Sequence, residues 1–219
     1  MAQRLKKPYI SLLGEPILAH TLRVLDSVAA IALIVVPVFP GEETFCEEEV
    51  IKKISLTTPV SVIAGGGARQ DSVRNALERV SDHTGMVLIH DGARPLITPS
   101  MIESALEATS AKRATTMGVP VKDTTVMVSR DDCSIHKALP RDRLFAIQTP
   151  QTFEKELILT AHQKAAQDGF TGTDDAGLVQ RLGVPVTVIP GSYRNIKITT
   201  ADDLLVAEAI LSSRQTPRA

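Results

Sequence analysis

Short apolar runs rich in β-branched residues alternate along this chain with segments of helical period, and that alternation constrains the fold more than any other feature. Residues 31–38, 60–64, 86–90, 115–121 and 185–190 are runs of strand length, whereas 17–25, 71–80, 99–111, 153–167 and 201–211 place apolar side chains on one helical face. Parallel neighbours need a crossover connection, and the helix between each pair supplies one. The pattern therefore predicts an α/β fold, a Rossmann-like, mainly parallel sheet in a three-layer arrangement with helices. Ligands of such sheets sit beyond the carboxyl ends of the strands. At 219 residues the chain suits a single domain, residues 1–219, with a full core. Only 3% of the residues are aromatic, so that core has to be aliphatic.

Residues 122–150 interrupt the rhythm. Positions 124–128 alternate like an exposed strand, 129–134 read as a turn and 135–148 can return, which predicts a β-hairpin arm. Val126 and Val128 share one side of that arm with no helix to cover them, and such a side stays exposed unless another subunit meets it. The formal net charge of -1 gives no electrostatic basis for a nucleic-acid partner or for attraction to an anionic membrane. No apolar run approaches the roughly 18 residues that span a bilayer, and the opening MAQRLKKPY lacks the apolar region of a signal peptide. Cys46 and Cys133 lie far apart with no CxxC pair, which argues against a disulfide framework or a zinc site and fits a reducing cytoplasm.

Several loops carry groups suited to binding anions. In Gly65-Gly66-Gly67-Ala68-Arg69-Gln70-Asp71-Ser72 three glycines follow a strand, and Asp71 or Ser72 can cap a helix whose free N–H groups face an anion or the edge of a base. His90-Asp91-Gly92-Ala93-Arg94-Pro95 places a carboxylate and a guanidinium at the carboxyl end of a central strand. Asp91 suits a metal ion or substrate hydroxyls there, and Arg94 suits a phosphate or a brace on Asp91; His90 is expected to pack beneath the sheet. Lys122-Asp123-Thr124, the stretch from Arg141 to Thr149-Pro150-Gln151, Thr173-Asp174-Asp175, and Asn195-Ile196-Lys197-Ile198-Thr199 stand at further loop positions. Singly they are weak, since Thr and Asp before a helix are usually caps and a lone lysine usually serves solubility.

Taken in order, KKPYISLLGEPILAHTL, GGGARQDSV, HDGARP, PVKDT, an arginine followed by TPQTF, TDD and NIKIT resemble the 2-C-methyl-D-erythritol 4-phosphate cytidylyltransferases, from Lys7 to about Ala209. The resemblance implies a nucleotide-diphospho-sugar transferase type of sheet. It also implies that a phosphate oxygen of methylerythritol phosphate attacks the α-phosphorus of CTP and releases pyrophosphate, with magnesium or another divalent cation present, in non-mevalonate isoprenoid synthesis. Catalysis of that kind is mainly positioning and charge. Lys7 then corresponds to a lysine near the CTP phosphates, with Lys6 a second candidate. Gly66, Gly67 and Ser72 correspond to the segment that reads cytosine. Asp91, Arg94, Thr124, Thr149 and Thr173 correspond to the sugar-phosphate pocket, with Arg141 and Lys197 orienting the attacking phosphate. A homodimer is implied as well, in which the arm carries Thr124 and Arg141 to the neighbouring subunit's site.

The family's usual opening, a strand running into an Ala-Ala-Gly-x-Gly-x-Arg loop, has no counterpart after Met1. A chain without them is expected to hold the triphosphate less well and to leave ladder groups unpaired. Ribitol-5-phosphate cytidylyltransferases share the same motifs and differ in the acceptor pocket. A catalytically silent nucleotide-binding subunit is the reading of a different class. A Rossmann dehydrogenase is disfavoured, because no GxGxxG follows the first strand seen.

Overall fold

The computed structural model describes residues 7–215; Lys6 lies outside them. A short ladder of β1 (Ser11–Leu12) and β2 (Glu15–Pro16) leads into α1 (Ile17–Asp26). The strand β3 (Ile34–Val38) follows, then α2 (Glu43–Glu49), β4 (Val60–Ala64) and α3 (Arg69–Leu77). β3 buries Ile34, Val36 and Val38 on one face, as period-two alternation requires, and those side chains meet Leu18, Leu22 and Cys46. α3 starts at Arg69 rather than near residue 71, because Asp71 lies inside its first turn and its Oδ2 reaches back to accept from the Ala68 N–H at 3.2 Å. α2 has no counterpart among the helical segments expected, for ETFCEEE is too short and too acidic to show an apolar stripe.

Next come β5 (Met86–Ile89), α4 (Pro99–Lys112) and β6 (Ala114–Pro120). α4 is bounded chemically at both ends: Thr98 Oγ1 accepts from the Met101 N–H at 3.3 Å, Pro99 stands in the first turn, and Arg113 closes the helix at φ +66°. The arm is β7 (Val126–Val128) paired antiparallel with β8 (Ile135–Ala138). From it the chain returns as β9 (Phe145–Glu154), a ten-residue strand antiparallel to β6. α5 (Lys155–Gln167), α6 (Asp175–Arg181), β10 (Thr187–Pro190) and α7 (Ala201–Gln215) complete the order.

The main sheet runs β10-β6-β9-β5. β10 and β6 are parallel, whereas β9 lies antiparallel between β6 and β5, so the sheet is mixed. The long hairpin from β6 through the arm to β9 is the reason: a chain that turns back on itself must return antiparallel. β3 and β4 form a separate parallel pair, with no ladder to β5 among the described residues. Instead, α1 and the loop after it bridge the two sheets, for Leu25 and Ile31 pack against both the β3 cluster and the cluster of Ile97, Ile102 and Met117. On the other face Phe153, Leu157, Ile158 and Leu178 join α5 and α6 to the main sheet. Residues 195–199 form an irregular segment rather than the strand end expected of them.

Candidate active site

The site is built on a bulge. Thr116 is opposite Gln151 and Met117 is opposite Gln148, so Thr149 and Pro150, joined by a cis peptide, are extra residues on β9. A bulge frees a side chain from the ladder and re-aims it. Here the Thr149 hydroxyl accepts from the Asp91 N–H at 3.0 Å and lies 3.0 Å from His90 Nδ1, while His90 Nε2 is 3.2 Å from the Arg94 carbonyl. A carbonyl only accepts, so Nε2 carries the proton and Nδ1 accepts from Thr149. Burial pushes the His90 pKa down to about 4, which keeps the imidazole neutral as this chain of bonds requires. His90 is thus half-buried and holds the turn after β5, in keeping with the structural part expected of it. Thr149 spends its hydroxyl on the same turn.

Three cations converge on the Asp91 carboxylate. Lys197 Nζ is 3.1 Å from Oδ2, Arg94 Nε 3.3 Å from Oδ2 and Arg69 Nε 3.5 Å from Oδ1. Burial acts to raise the Asp91 pKa, but the charges of Lys197, Arg69 and Arg94 outweigh it and hold the carboxyl below the ordinary range. Arg94 is largely committed to the scaffold: Nη1 donates to the Asn195 carbonyl at 2.9 Å, and Asn195 Nδ2 donates to the Thr149 carbonyl at 2.9 Å. These bonds carry the irregular segment, with Lys197 on it, to the mouth of β5. A cavity of about 200 Å³ opens there, lined by Asp91, Arg94, Thr149, Thr173 and Lys197 of the expected residues.

Arg69, Gln148, Gln151 and Asp174, which stood within the candidate loops but were given no part in the site, also line that cavity. Gln151 is buried, its Oε1 accepts from the N–H groups of Asp175 (3.1 Å) and Ala176 (3.0 Å), and its Nε2 donates to Asp174 Oδ2 at 2.8 Å. Asp174 in turn caps α6, accepting from the Gly177 N–H at 2.9 Å, as a Thr-Asp-Asp sequence before a helix predicts. The only sequence signal for the glutamine was its place beside Thr149 and Pro150.

The glycine loop lies at the carboxyl end of β4. Ser72 Oγ accepts from the Gly66 N–H at 3.0 Å and donates to the Ala68 carbonyl at 3.1 Å, and the Gly65 N–H donates to the Val38 carbonyl at 2.7 Å. A Cβ on Gly66 would stand 2.2 Å from that of Asp71, so only glycine fits this close approach. Gly66, Gly67 and Ser72 are outside the cavity lining, and Arg69 is the link between their loop and Asp91.

Lys7, Thr124 and Arg141 are not brought into this cavity. All three are exposed, Lys7 ahead of β1 and the other two on the arm. Within its own chain, Arg141 Nη1 donates to the Lys122 carbonyl at 3.0 Å. Among the described residues no group of three or more His, Cys, Asp or Glu side chains stands together as a metal site. Asp91 already faces three cations and Asp174 caps a helix. The magnesium implied by the resemblance therefore finds no protein ligand set here.

A cavity with three cations gathered on one carboxylate, beyond the ends of α/β strands and tied to a glycine loop at a helix N-terminus, is the kind of site a nucleotide-dependent transferase presents. The family model described as "IspD: 2-C-methyl-D-erythritol 4-phosphate cytidylyltransferase" matches residues 1–213, and the chain belongs to that family. It is 43% identical to the enzyme of that name from Pelotomaculum thermopropionicum, over 98% of this chain and 90% of the relative. It is 44% identical to the one from Caldanaerobacter subterraneus, over 96% and 92%. Among solved structures it is similar to 4-diphosphocytidyl-2C-methyl-D-erythritol synthase from Anaerococcus prevotii, with a TM-score of 0.86 and 30% identity over 95% of this chain and 91% of that one. The 2-C-methyl-D-erythritol 4-phosphate cytidylyltransferase from Thermus thermophilus gives 0.78 and 32%, over 94% of each.

Proposed function

We propose that this chain transfers the cytidylyl group of CTP to 2-C-methyl-D-erythritol 4-phosphate, giving 4-diphosphocytidyl-2-C-methyl-D-erythritol and pyrophosphate in isoprenoid precursor synthesis. The observation that carries the reading is the gathering of Lys197, Arg94 and Arg69 on Asp91 beside the glycine loop. An acceptor phosphate entering the cavity meets the Lys197 ammonium, which is 42% exposed and free to swing from Asp91 to the phosphate. A phosphate oxygen then attacks the α-phosphorus in line, a P–O bond forms, and the bond to the pyrophosphate oxygen breaks. Asp91 is left to take acceptor hydroxyls. The loop from Gly65 to Ser72, whose Gly65, Gly66 and Ala68 N–H groups are spent on holding its own shape, seats the cytosine base, and Lys7 meets the triphosphate.

The arm supports a homodimer. Met127, Val128 and Ile135 are 51%, 50% and 71% exposed, which is apolar surface of the kind a partner covers, and Arg141 on the same arm is proposed to reach the partner's acceptor phosphate. Magnesium belongs, on this reading, to the triphosphate oxygens of CTP, since no protein cage is at hand among the described residues. Cys46 and Cys133 are both free, which suits a cytoplasmic setting, and no helix of the described residues is long and apolar enough to cross a membrane.

Pyrophosphate release measured with methylerythritol phosphate and with ribitol 5-phosphate, each with CTP and with UTP, tests the reading. Turnover is expected with methylerythritol phosphate and CTP, and at least about tenfold less with UTP, since a mismatched buried base edge costs roughly 1–3 kcal/mol. Preference for ribitol phosphate, or equal use of both nucleotides, overturns it.

A further inference from the structure

Arg69 occupies the glycine loop's helix start, where neither a close backbone approach nor a base edge calls for a guanidinium. Its Nη1 donates to Asp175 Oδ2 at 2.6 Å while its Nε faces Asp91 Oδ1 at 3.5 Å. Asp175 is a fixed anchor: its side chain is 1% exposed, it accepts from the buried His162 Nε2 at 3.0 Å, and its own N–H is held by Gln151. The next residue grips the same loop. Gln70 Nε2 donates to the Phe170 carbonyl at 2.9 Å, and the Gly172 N–H donates to Gln70 Oε1 at 2.8 Å. Two consecutive side chains of α3 thus clamp the segment that brings Thr173 to the cavity, and one of them also reaches Asp91.

We propose that Arg69 is a positioning residue that couples the nucleotide loop to the acceptor pocket: it fixes Asp91 and the Thr173 loop relative to the loop that seats the base, so that a bound nucleotide organises the acceptor's half of the site. This deepens the function proposed above and rests on it. A planar guanidinium can bridge two carboxylates that lie in different directions, whereas an ammonium on a flexible stem holds one at a time. Loss of Arg69 leaves Asp91 with Lys197 and Arg94, so the carboxylate stays ionised and the defect is one of placement. Asp175, by contrast, keeps only His162 and its backbone contacts.

The test uses the full chain with R69K, R69Q and D175N. In R69Q the acceptor KM is expected to rise at least about tenfold while the dissociation constant for CTP, by calorimetry, stays within about threefold, with R69K between R69Q and the unmodified protein. D175N, whose side chain does not line the cavity, should show the same split. Hydrogen exchange reads the coupling without turnover: CTP is expected to slow the amides of Gly172, Asp175 and Ala176 in the unmodified protein and to leave them unchanged in R69Q. An unaltered acceptor KM, equal slowing by CTP in R69Q, or a parallel loss of CTP affinity, acceptor affinity and thermal midpoint overturns the inference. Should R69Q not fold, R69K is judged by the same criteria. If the unmodified protein binds CTP but fails with methylerythritol phosphate, the acceptor reading falls and the exchange result still decides the coupling; if CTP does not bind at all, both fall together.

Discussion

Single side chains do two different kinds of work at the mouth of β5, and His90 shows the second kind. It touches no substrate-facing space of its own, yet the run Asp91 N–H to Thr149 Oγ to His90 Nδ1 exists only while the imidazole is neutral. Burial is the main cause of its depressed pKa, against the hydrogen bond to the Arg94 carbonyl and the charge of Asp91, both of which act to raise it. The folded pKa of about 4 lies below the unfolded value of about 6.5, so the unfolded chain takes up the proton first as pH falls. The contribution to stability is therefore complete above about pH 6.5 and is lost as pH drops towards 4, on the order of 2–3 kcal/mol. Urea unfolding at pH 7 and pH 4.5 is expected to show that loss in the unmodified protein and much less of it in H90Q; equal losses in the two would contradict the assignment. Asp91 was legible as a site residue because a charged group at a strand end points to a ligand, whereas Lys197 was legible only through the family resemblance, a lone lysine on its own reading as solubility. Arg69 and Gln151 were not, since nothing in a sequence says that residues 106 or 24 positions apart will share a hydrogen bond. Gly66 makes a second, sharper case. G66A puts a methyl group against Asp71 in the first turn of α3 and should cost about 1–3 kcal/mol, read as a lowered thermal midpoint together with a raised KM for CTP.

Among the elements, the second half of β9 is what sequence reading passed over besides α2, ending the return of the arm at Gln148 and starting a helix at Phe153. Its Thr149, Pro150 and Gln151 read as a polar loop, and in a ladder a proline and two polar side chains argue against a strand. The strand survives because the bulge takes Thr149 and Pro150 out of register and because Gln151, turned inward, satisfies two N–H groups of α6. The arm, in contrast, was legible, for its alternation stands between two turn signals and has no helix after it. Its orientation towards a partner is open to a direct experiment. R141A chains and K197A chains, each inactive alone, are expected to regain activity when mixed, approaching about one working site in each mixed dimer, because each supplies the group the other lacks. No recovery from mixed dimers that demonstrably form would overturn the proposal that Arg141 reaches the partner's acceptor phosphate.

At the scale of the molecule, the alternation of strands and helices foretold the layers but not the division of the sheet. β6 has β10 on one side and β9 on the other, and β9 is likewise flanked by β5 and β6, so their backbone groups are paired in both directions. β3 has β4 alone, and β5 has β9 alone, among the described residues. What joins the halves is side-chain packing: Leu25 and Ile31 contribute to both clusters, Thr21 Oγ1 donates to the Gly92 carbonyl at 2.9 Å, and Leu18 lies against the open side of Gly92. Apolar packing is not directional, whereas a ladder is broken only by separating strands, so the pair β3–β4 is free to open without the main sheet doing so. Amides of Val36 and Ile63 are expected to exchange at least about tenfold faster than those of Thr115 and Thr152, through an opening that denaturant accelerates less than global unfolding. The glycine loop starts where β4 ends, and its Gly65 N–H is bonded to the Val38 carbonyl at the end of β3. A nucleotide that seats in that loop must therefore close the difference, slowing Val36 and Ile63 while leaving Thr115 and Thr152 as they were. Equal protection of the two sheets before nucleotide is added, or uniform slowing of both after it, would show that packing through α1 already makes them one cooperative unit.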